Sequence, residues 1–212
     1  MFNRIRLVTV SAALLVSTAA VHADEFIDNA VAGLLGGWTG SYAGAFAGTS
    51  NFSVDTAFGS ADFDVESYGI YGGHNFELPG GVVFGVESDF AKANGSASWS
   101  DGEDSSSFAV NWTAHLRSRV GTSFGNALFY AAGGVALAQG ELYSVSEDGS
   151  DTQIHTGVTV GAGVDFAVTP NVVLRAEYLH DAFGTATYEI NGYDYDVDLT
   201  SDTVRAGIAV KF

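Results

Sequence analysis

The last nine residues, Val204 to Phe212, alternate without a break. Val204, Ala206, Ile208, Val210 and Phe212 fall on one side, and Arg205, Gly207, Ala209 and Lys211 on the other. A period of two is that of a β-strand, since a helix would repeat near 3.6. One face of this strand is wholly apolar, the other mixes small and cationic residues, and the chain stops on an aromatic ring. Any fold that ends so must offer an apolar surrounding to one side of a strand and a compact, partly charged one to the other.

The opposite end reads differently. MFNRIRLVTVSAALLVSTAAVHA carries Arg4 and Arg6, an apolar run from Leu7 to about Ala20, and small or tolerated residues at Val21-His22-Ala23. A positive start, a short apolar stretch and such an end predict a secretory signal cleaved after residue 23. The run is shorter than the ~20 residues a spanning helix needs, which disfavours an uncleaved anchor. Residues 24–36, with Ile27, Val31 and Leu34, read as a short periplasmic lead-in, and residues 37–212 as a single domain. The chain has no cysteine, which removes disulfides and thiolate chemistry. It carries 25 acidic against 8 basic side chains, and loss of the signal takes two arginines and no acid. Such a balance argues against nucleic acid as a partner.

Between these ends the period of two recurs. Strands are expected at Trp38–Gly48, Tyr68–Phe76, Val82–Phe90, Phe108–Phe124, Leu128–Gly140, Ile154–Val168, from Val172 through Tyr178, and at the C-terminus. Leu128–Gly140 is too rich in Gly and Ala to phase. Short turns at Glu77–Gly81, Gly125–Ala127 and Thr169–Asn171 alternate with four long polar, acidic segments read as loops, at 49–67, 91–107, 141–152 and 181–198. Eight weakly apolar alternating strands with short and long connections in turn predict an all-β, eight-stranded antiparallel up-and-down transmembrane barrel. An even strand number brings both termini to one side, taken as periplasmic. Trp38, Phe76, Phe124, Phe166 and Phe212 are expected in one aromatic girdle, and Phe46, Phe90, Trp112 and Tyr178 in the other.

The second face of each strand is not that of a soluble protein, which would be dense in Lys and Glu. It is mostly Gly, Ala, Ser and Thr, which suits a narrow interior that side chains must fill. Arg117, Arg119, Arg175, Arg205 and Lys211 lie on it, with Glu87, Asp89, Asp165 and Glu177. An Arg facing lipid at mid-depth costs about 2–4 kcal/mol, so these charges are expected to pair inside. Adjacent strands predict Glu87 with Arg117 or Arg119, and Glu177 with Arg205.

The stretches WTGSYAGAFAG, FGVESDF, HLRSRVG with FYAAGGVALA, GVTVGAGVDFAVTPNVVLRAEYLHDAFG and TVRAGIAVKF together resemble the porin-family outer-membrane barrel domain, the group of small surface antigens and haem-binding barrels related to the OmpA-type barrel. The resemblance covers the eight strands and not the loops. It implies a place in the outer membrane among lipid and lipopolysaccharide, and assembly by the barrel-assembly machinery, with Phe212 as part of its signal. It implies a surface role: envelope integrity, or acidic loops presented as antigen or adhesin to an extracellular partner that loop composition does not name. The alternative it carries is a narrow pore, or a binder of haem or another small ligand.

Four histidines follow the signal, His74, His115, His155 and His180. His155 and His180 lie nearest the expected loops and are the candidates for an axial haem ligand, although an ordinary interior or rim histidine is commoner. Asp194, Asp196 and Asp198, like Asp62, Asp64 and Glu66, could offer oxygen ligands to Ca²⁺. Counting from Asp194 places Leu199 and Arg205 where an EF-hand needs Gly and Glu, so that motif fails and solvated loop faces are the plainer reading. No histidine has a serine two places on, the local arrangement of barrel hydrolases that trim lipid A, and nucleophilic catalysis gains no support. No enzyme activity and no cofactor are expected.

Overall fold

The computed structural model describes residues 37–56, 59–101, 104–144, 149–190 and 192–212; the expected signal peptide at 1–23 and the expected lead-in at 24–36 lie outside them. The described residues form eight antiparallel strands: β1 (Gly40–Thr56), β2 (Gly59–Leu78), β3 (Val82–Asp101), β4 (Asp104–Phe124), β5 (Ala127–Ser144), β6 (Gly149–Ala167), β7 (Val172–Ile190) and β8 (Tyr193–Lys211). Each pairs with the next, and β8 returns to β1 to close the ring. Closure leaves no edge unpaired at the level of the ring, the condition for strands to cross a hydrocarbon layer.

Three connections at one end are tight. Gly80 and Gly81 (φ 92° and 79°) and Gly125 (φ 59°) adopt left-handed backbone there, which side chains with a Cβ resist. Gly81 donates to Leu78 O, and Ser123 N to Gly81 O, so two neighbouring strand ends are tied at the turn.

The opposite end corrects the sequence reading. The four long polar segments are not loops: the strands continue through them to Thr56 and Gly59, to Asp101 and Asp104, to Ser144 and Gly149, and to Ile190 and Tyr193. The physical reason is a recurrence of inward apolar residues at alternate positions, interrupted by buried Ser50, Ser67 and Ser144 and hidden among outward Ser, Thr and Asp. Phe52, Val54, Phe63, Val65, Phe108, Leu142, Tyr188, Val197 and Leu199 are all buried. They supply a core that loops would lack.

The ring also changes character along its length. The β2–β3 ladder runs from Leu78↔Val82 only to Glu66↔Asn94, and the β6–β7 ladder from Ala167↔Val173 only to Gly157↔Phe183. The other six ladders continue towards the hairpin end. Beyond the two stops the barrel opens into a pair of four-stranded sheets, β7–β8–β1–β2 and β3–β4–β5–β6. They face each other across the apolar core, as sheets do in a sandwich. Phe63 of the first meets Phe108 of the second edge-to-face at 6.3 Å, and Phe108 meets Tyr188 at 6.0 Å.

The outer surface of the turn half carries a continuous apolar band. Ile70, Phe84, Val86, Leu116, Val120, Val158, Val160, Ile208 and Val210 point outward and are exposed, Val120 and Val160 at 54% and 57%. Surface of that extent belongs against lipid. Phe76, Phe124, Phe166 and Phe212 ring its turn-end margin, while Phe90 and Tyr178 stand towards the other margin. Trp38 and Phe46, expected in the girdles, are buried inside instead. Trp38, Tyr42 and Phe46 share the inward phase of β1, where Lys211 Nζ lies 5.9 Å from the Trp38 ring and the Arg205 guanidinium 4.3 Å from that of Phe46. The outward face of β1 is filled by Ala43, Ala45 and Ala47.

Candidate functional site: the filled lumen

Inward alternation on β3, β4, β6, β7 and β8 brings four guanidiniums and four carboxylates together at the level of the apolar band. Arg117 Nη2 lies 2.6 Å from Glu87 Oε1 and 2.9 Å from Asp89 Oδ2, and its Nη1 lies 3.1 Å from Glu177 Oε1. Arg119 reaches Asp165 at 2.6 Å and Glu87 at 3.4 Å. Arg175 forks onto Asp165, Nε to Oδ1 at 2.7 Å and Nη2 to Oδ2 at 2.9 Å, and also bonds Glu87. Arg205 holds Glu177 at 2.6 Å and Asp89 at 3.0 Å. All eight residues are buried. Glu87, for which adjacency offered Arg117 or Arg119, meets both, and Glu177 meets Arg205. The cross-lumen ties from Arg175 to Glu87, Arg117 to Glu177 and Arg205 to Asp89 are additions that neighbouring-strand logic could not supply.

Three tyrosines and a histidine complete the cluster. Tyr42 donates to Glu87 Oε2 at 2.7 Å and Tyr130 to Glu177 Oε1 at 2.8 Å. Their rings lie against glycines of neighbouring strands: a Cβ at Gly73 would fall 2.5 Å from the Tyr42 hydroxyl, and one at Gly163 2.5 Å from that of Tyr130. Those glycines therefore make the room in which the hydroxyls reach their carboxylates. The guanidinium of Arg119 sits 4.2 Å from the Tyr130 ring centre and that of Arg175 4.4 Å from Tyr71. His115 bonds Asp89 through Nδ1 at 2.8 Å, and its Nε2 lies 3.3 Å from Asp181, which accepts from Ser201. Sequence reasoning gave His115 no partner and read Asp181 as the start of a loop, whereas it lies within β7. Both were visible as inward-phase residues, but their partners stand on different strands.

The charge layer is closed on both sides. Towards the turns lie Trp38, Val83, Leu128, Tyr130 and Val173. Towards the hairpins the buried pair Ser50–Thr203 (2.7 Å) gives way to the apolar core between the two sheets. Opposite charges that satisfy one another in a narrow ring fill it rather than line a channel.

The remaining candidates lie apart from this layer. His180 stands on the outer surface, its Nδ1 2.8 Å from Asp202, which also accepts from Tyr178. His155 points into the outer core, bonded to Tyr188 OH at 2.8 Å and Gly184 O at 3.3 Å. The two histidines thus face opposite sides of the wall and form no common site. Asp194, Asp196 and Asp198 point outward; Asp196 accepts from Thr187 and Asp198 from Thr185. Asp62 and Asp64 accept from Ser53 and Asn51. Alternate residues on one extended strand stand side by side on one face about 7 Å apart, too far to share an ion, and among the described residues no cluster of three His, Asp or Glu is arranged to hold a metal. Cross-strand pairing brings Ser41 Oγ to 2.9 Å from His74 Nδ1, a contact that a search for nearby serines in sequence cannot reveal.

The same architecture is found among known proteins. A family model described as outer membrane protein beta-barrel domain matches residues 9–212. The 22 kDa outer membrane protein of Rhizobium leguminosarum bv. viciae is 34% identical over 164 residues, 73% of this chain and 71% of that protein. The 31 kDa outer-membrane immunogenic protein of Brucella melitensis biotype 1 is 32% identical over 158 residues, 68% of this chain and 65% of that protein. Among solved structures, Neisserial surface protein A covers 82% of this chain and 98% of its own, with a TM-score of 0.51 at 20% identity, a likeness of fold. With a closed eight-stranded ring, an apolar outer band and these relatives, the chain belongs to the outer membrane protein beta-barrel domain family.

Proposed function

We propose that this protein is a non-conducting structural barrel that holds a rigid two-sheet head at the cell surface, where the head serves as an antigen or attachment surface. The observation that carries the reading is the lumen, occupied in turn by a mixed aromatic and aliphatic layer, a self-paired charge layer and an apolar core. Transport needs a continuous polar path, and side chains occupy that path at every level. The name of the Brucella relative, an outer-membrane immunogenic protein, supports exposure of such a head. The head replaces the four acidic loops expected from sequence, and keeps their charge: Asp62, Asp64, Asp194, Asp196 and Asp198 stand on its outer face.

In this reading the turn end and both termini face the periplasm, the apolar band sits among lipid and lipopolysaccharide, and the strand ending in Phe212 is read by the barrel-assembly machinery. The test is single-channel recording on refolded protein in a planar bilayer, with folding verified by heat-dependent gel mobility. The membrane should stay silent. Steady unitary steps from folded protein would replace the structural reading by a pore.

A further inference from the structure

The two seams where the backbone ladders stop are closed by different means. At the β2–β3 seam, Gly95 presses against the opposing strand: a Cβ there would fall 2.6 Å from Asp64 O and from Val65. At the β6–β7 seam, beyond Gly157↔Phe183, side chains do the bridging. His155 of β6 bonds Tyr188 and Gly184 of β7, and Asp151 of β6 accepts from Glu189 N. Gly184 lies where the β7–β8 register slips between Phe183 and Ala186, so its carbonyl is freed to meet the imidazole.

These partners fix the histidine's state. Gly184 O can only accept, so Nδ1 carries the hydrogen; Nε2 then accepts from the Tyr188 hydroxyl. In the neutral form both ring nitrogens are satisfied. A proton on Nε2 would oblige the Tyr188 hydroxyl to turn and accept, and would place a cation in an apolar cage, 1% exposed, beside the Phe108 ring at 6.2 Å.

No buried carboxylate stands ready to receive that charge. Ala138 is the ladder partner on β5, and Val197 and Leu199 are the inward residues of β8 near this level. Asp198 of β8 faces outward and is held by Thr185. Asp151 is engaged with Gln153 and Glu189. Asp181, the nearest inward acid on β7, lies deeper and belongs to Ser201 and His115.

We propose that the β6–β7 seam is an acid-sensitive latch: protonation of His155 parts the two sheets at this seam, hinging them about the Gly95 contact and uncovering the apolar core. The inference goes beyond the surface role and does not depend on it. His155 lies on the hairpin side of Val158 and Val160, with Ile154 the exposed apolar residue of β6 beyond it, and burial pushes its pKa down. A group whose folded pKa lies below its unfolded value leaves stability intact above the unfolded value, near 6.5. That stability is lost as pH falls towards the folded one.

The test is amide hydrogen exchange on the folded full-length mature protein in detergent, at about pH 7.5 and about pH 5, corrected for intrinsic rates; a proton-linked opening gains at most about tenfold per pH unit. Acid should speed exchange in residues 149–156 and 184–190 several-fold and leave the ladders of the apolar band unchanged. His155→Gln, which can still donate and accept but does not titrate, should remove the acid response. Should that variant not fold, Tyr188→Phe serves instead: it should exchange faster at neutral pH and gain less from acid. Equal corrected rates for the unmodified protein at both pH values overturn the proposal. An undiminished acid response in either folded variant does so too, since the trigger would then be another group.

Discussion

Arg117 answers to three carboxylates, two on β3 and one across the lumen on β7. Its removal leaves Glu87 and Glu177 short of a cation where water cannot replace it, and breaking a buried pair from one side costs about 3–5 kcal/mol. Arg117→Ala should therefore lower the urea or heat midpoint of the folded barrel, read by gel mobility, and unchanged resistance would refute the layer's structural role. Arg117→Lys should recover only part of the loss, because an ammonium cannot fork between partners. At this scale the sequence was informative about faces and less so about partners. Phase placed all eight network charges inside, and adjacency gave Glu87–Arg117. It could not give Arg175–Glu87, whose strands meet only through the lumen.

The strands themselves were harder to read than their residues. Acidic and serine-rich segments look like loops because half of their positions, the outward half, carry loop-like residues. The signal for extension was the other half: Phe52 and Val54, Phe63 and Val65, Val197 and Leu199, each two apart. The girdle assignment failed at Trp38 and Phe46 for a related reason: an aromatic in the right row can belong to either face, and β1 turns its rings inward against cations. Phe108 lies at the centre of the outer core, touching rings of Phe63, His155 and Tyr188. Phe108→Ala should cost about 3–5 kcal/mol, the usual range for a large buried ring. Hydrogen exchange should show the loss concentrated in the outer strand segments. Equal loosening of the apolar band would mean that the two halves are one cooperative unit.

Across the whole molecule, the division into a lipid-facing ring and an outer two-sheet head predicts which parts antibodies can reach. An epitope inserted between β5 and β6, at residues 145–148, should be labelled on intact cells. One placed just ahead of residue 37 should stay dark until the envelope is made permeable. The reverse pattern would turn the molecule over in the membrane and remove the surface role. This division was only half legible beforehand. The alternation of short and long connections pointed to two unlike ends, but the place where the ladders stop depends on residues of β2 against β3 and β6 against β7, and no single segment carries it.

The charge layer joins residues distant along the chain: Arg205 and Asp89 are separated by 116 positions, Arg175 and Glu87 by 88. It can assemble only when the last strand meets the first. A slip of one residue at closure would turn the apolar face of β8 inward, an obvious error. A slip of two would keep every side chain on its proper face and satisfy each backbone group; Arg205 would stay opposite Glu177 on β7, yet it would be carried away from Asp89 across the lumen. The lumen thus acts as its own inspector: a misclosed ring passes every test of hydrophobicity and fails on unpaired ions, so that only one alignment of the final strand is worth keeping.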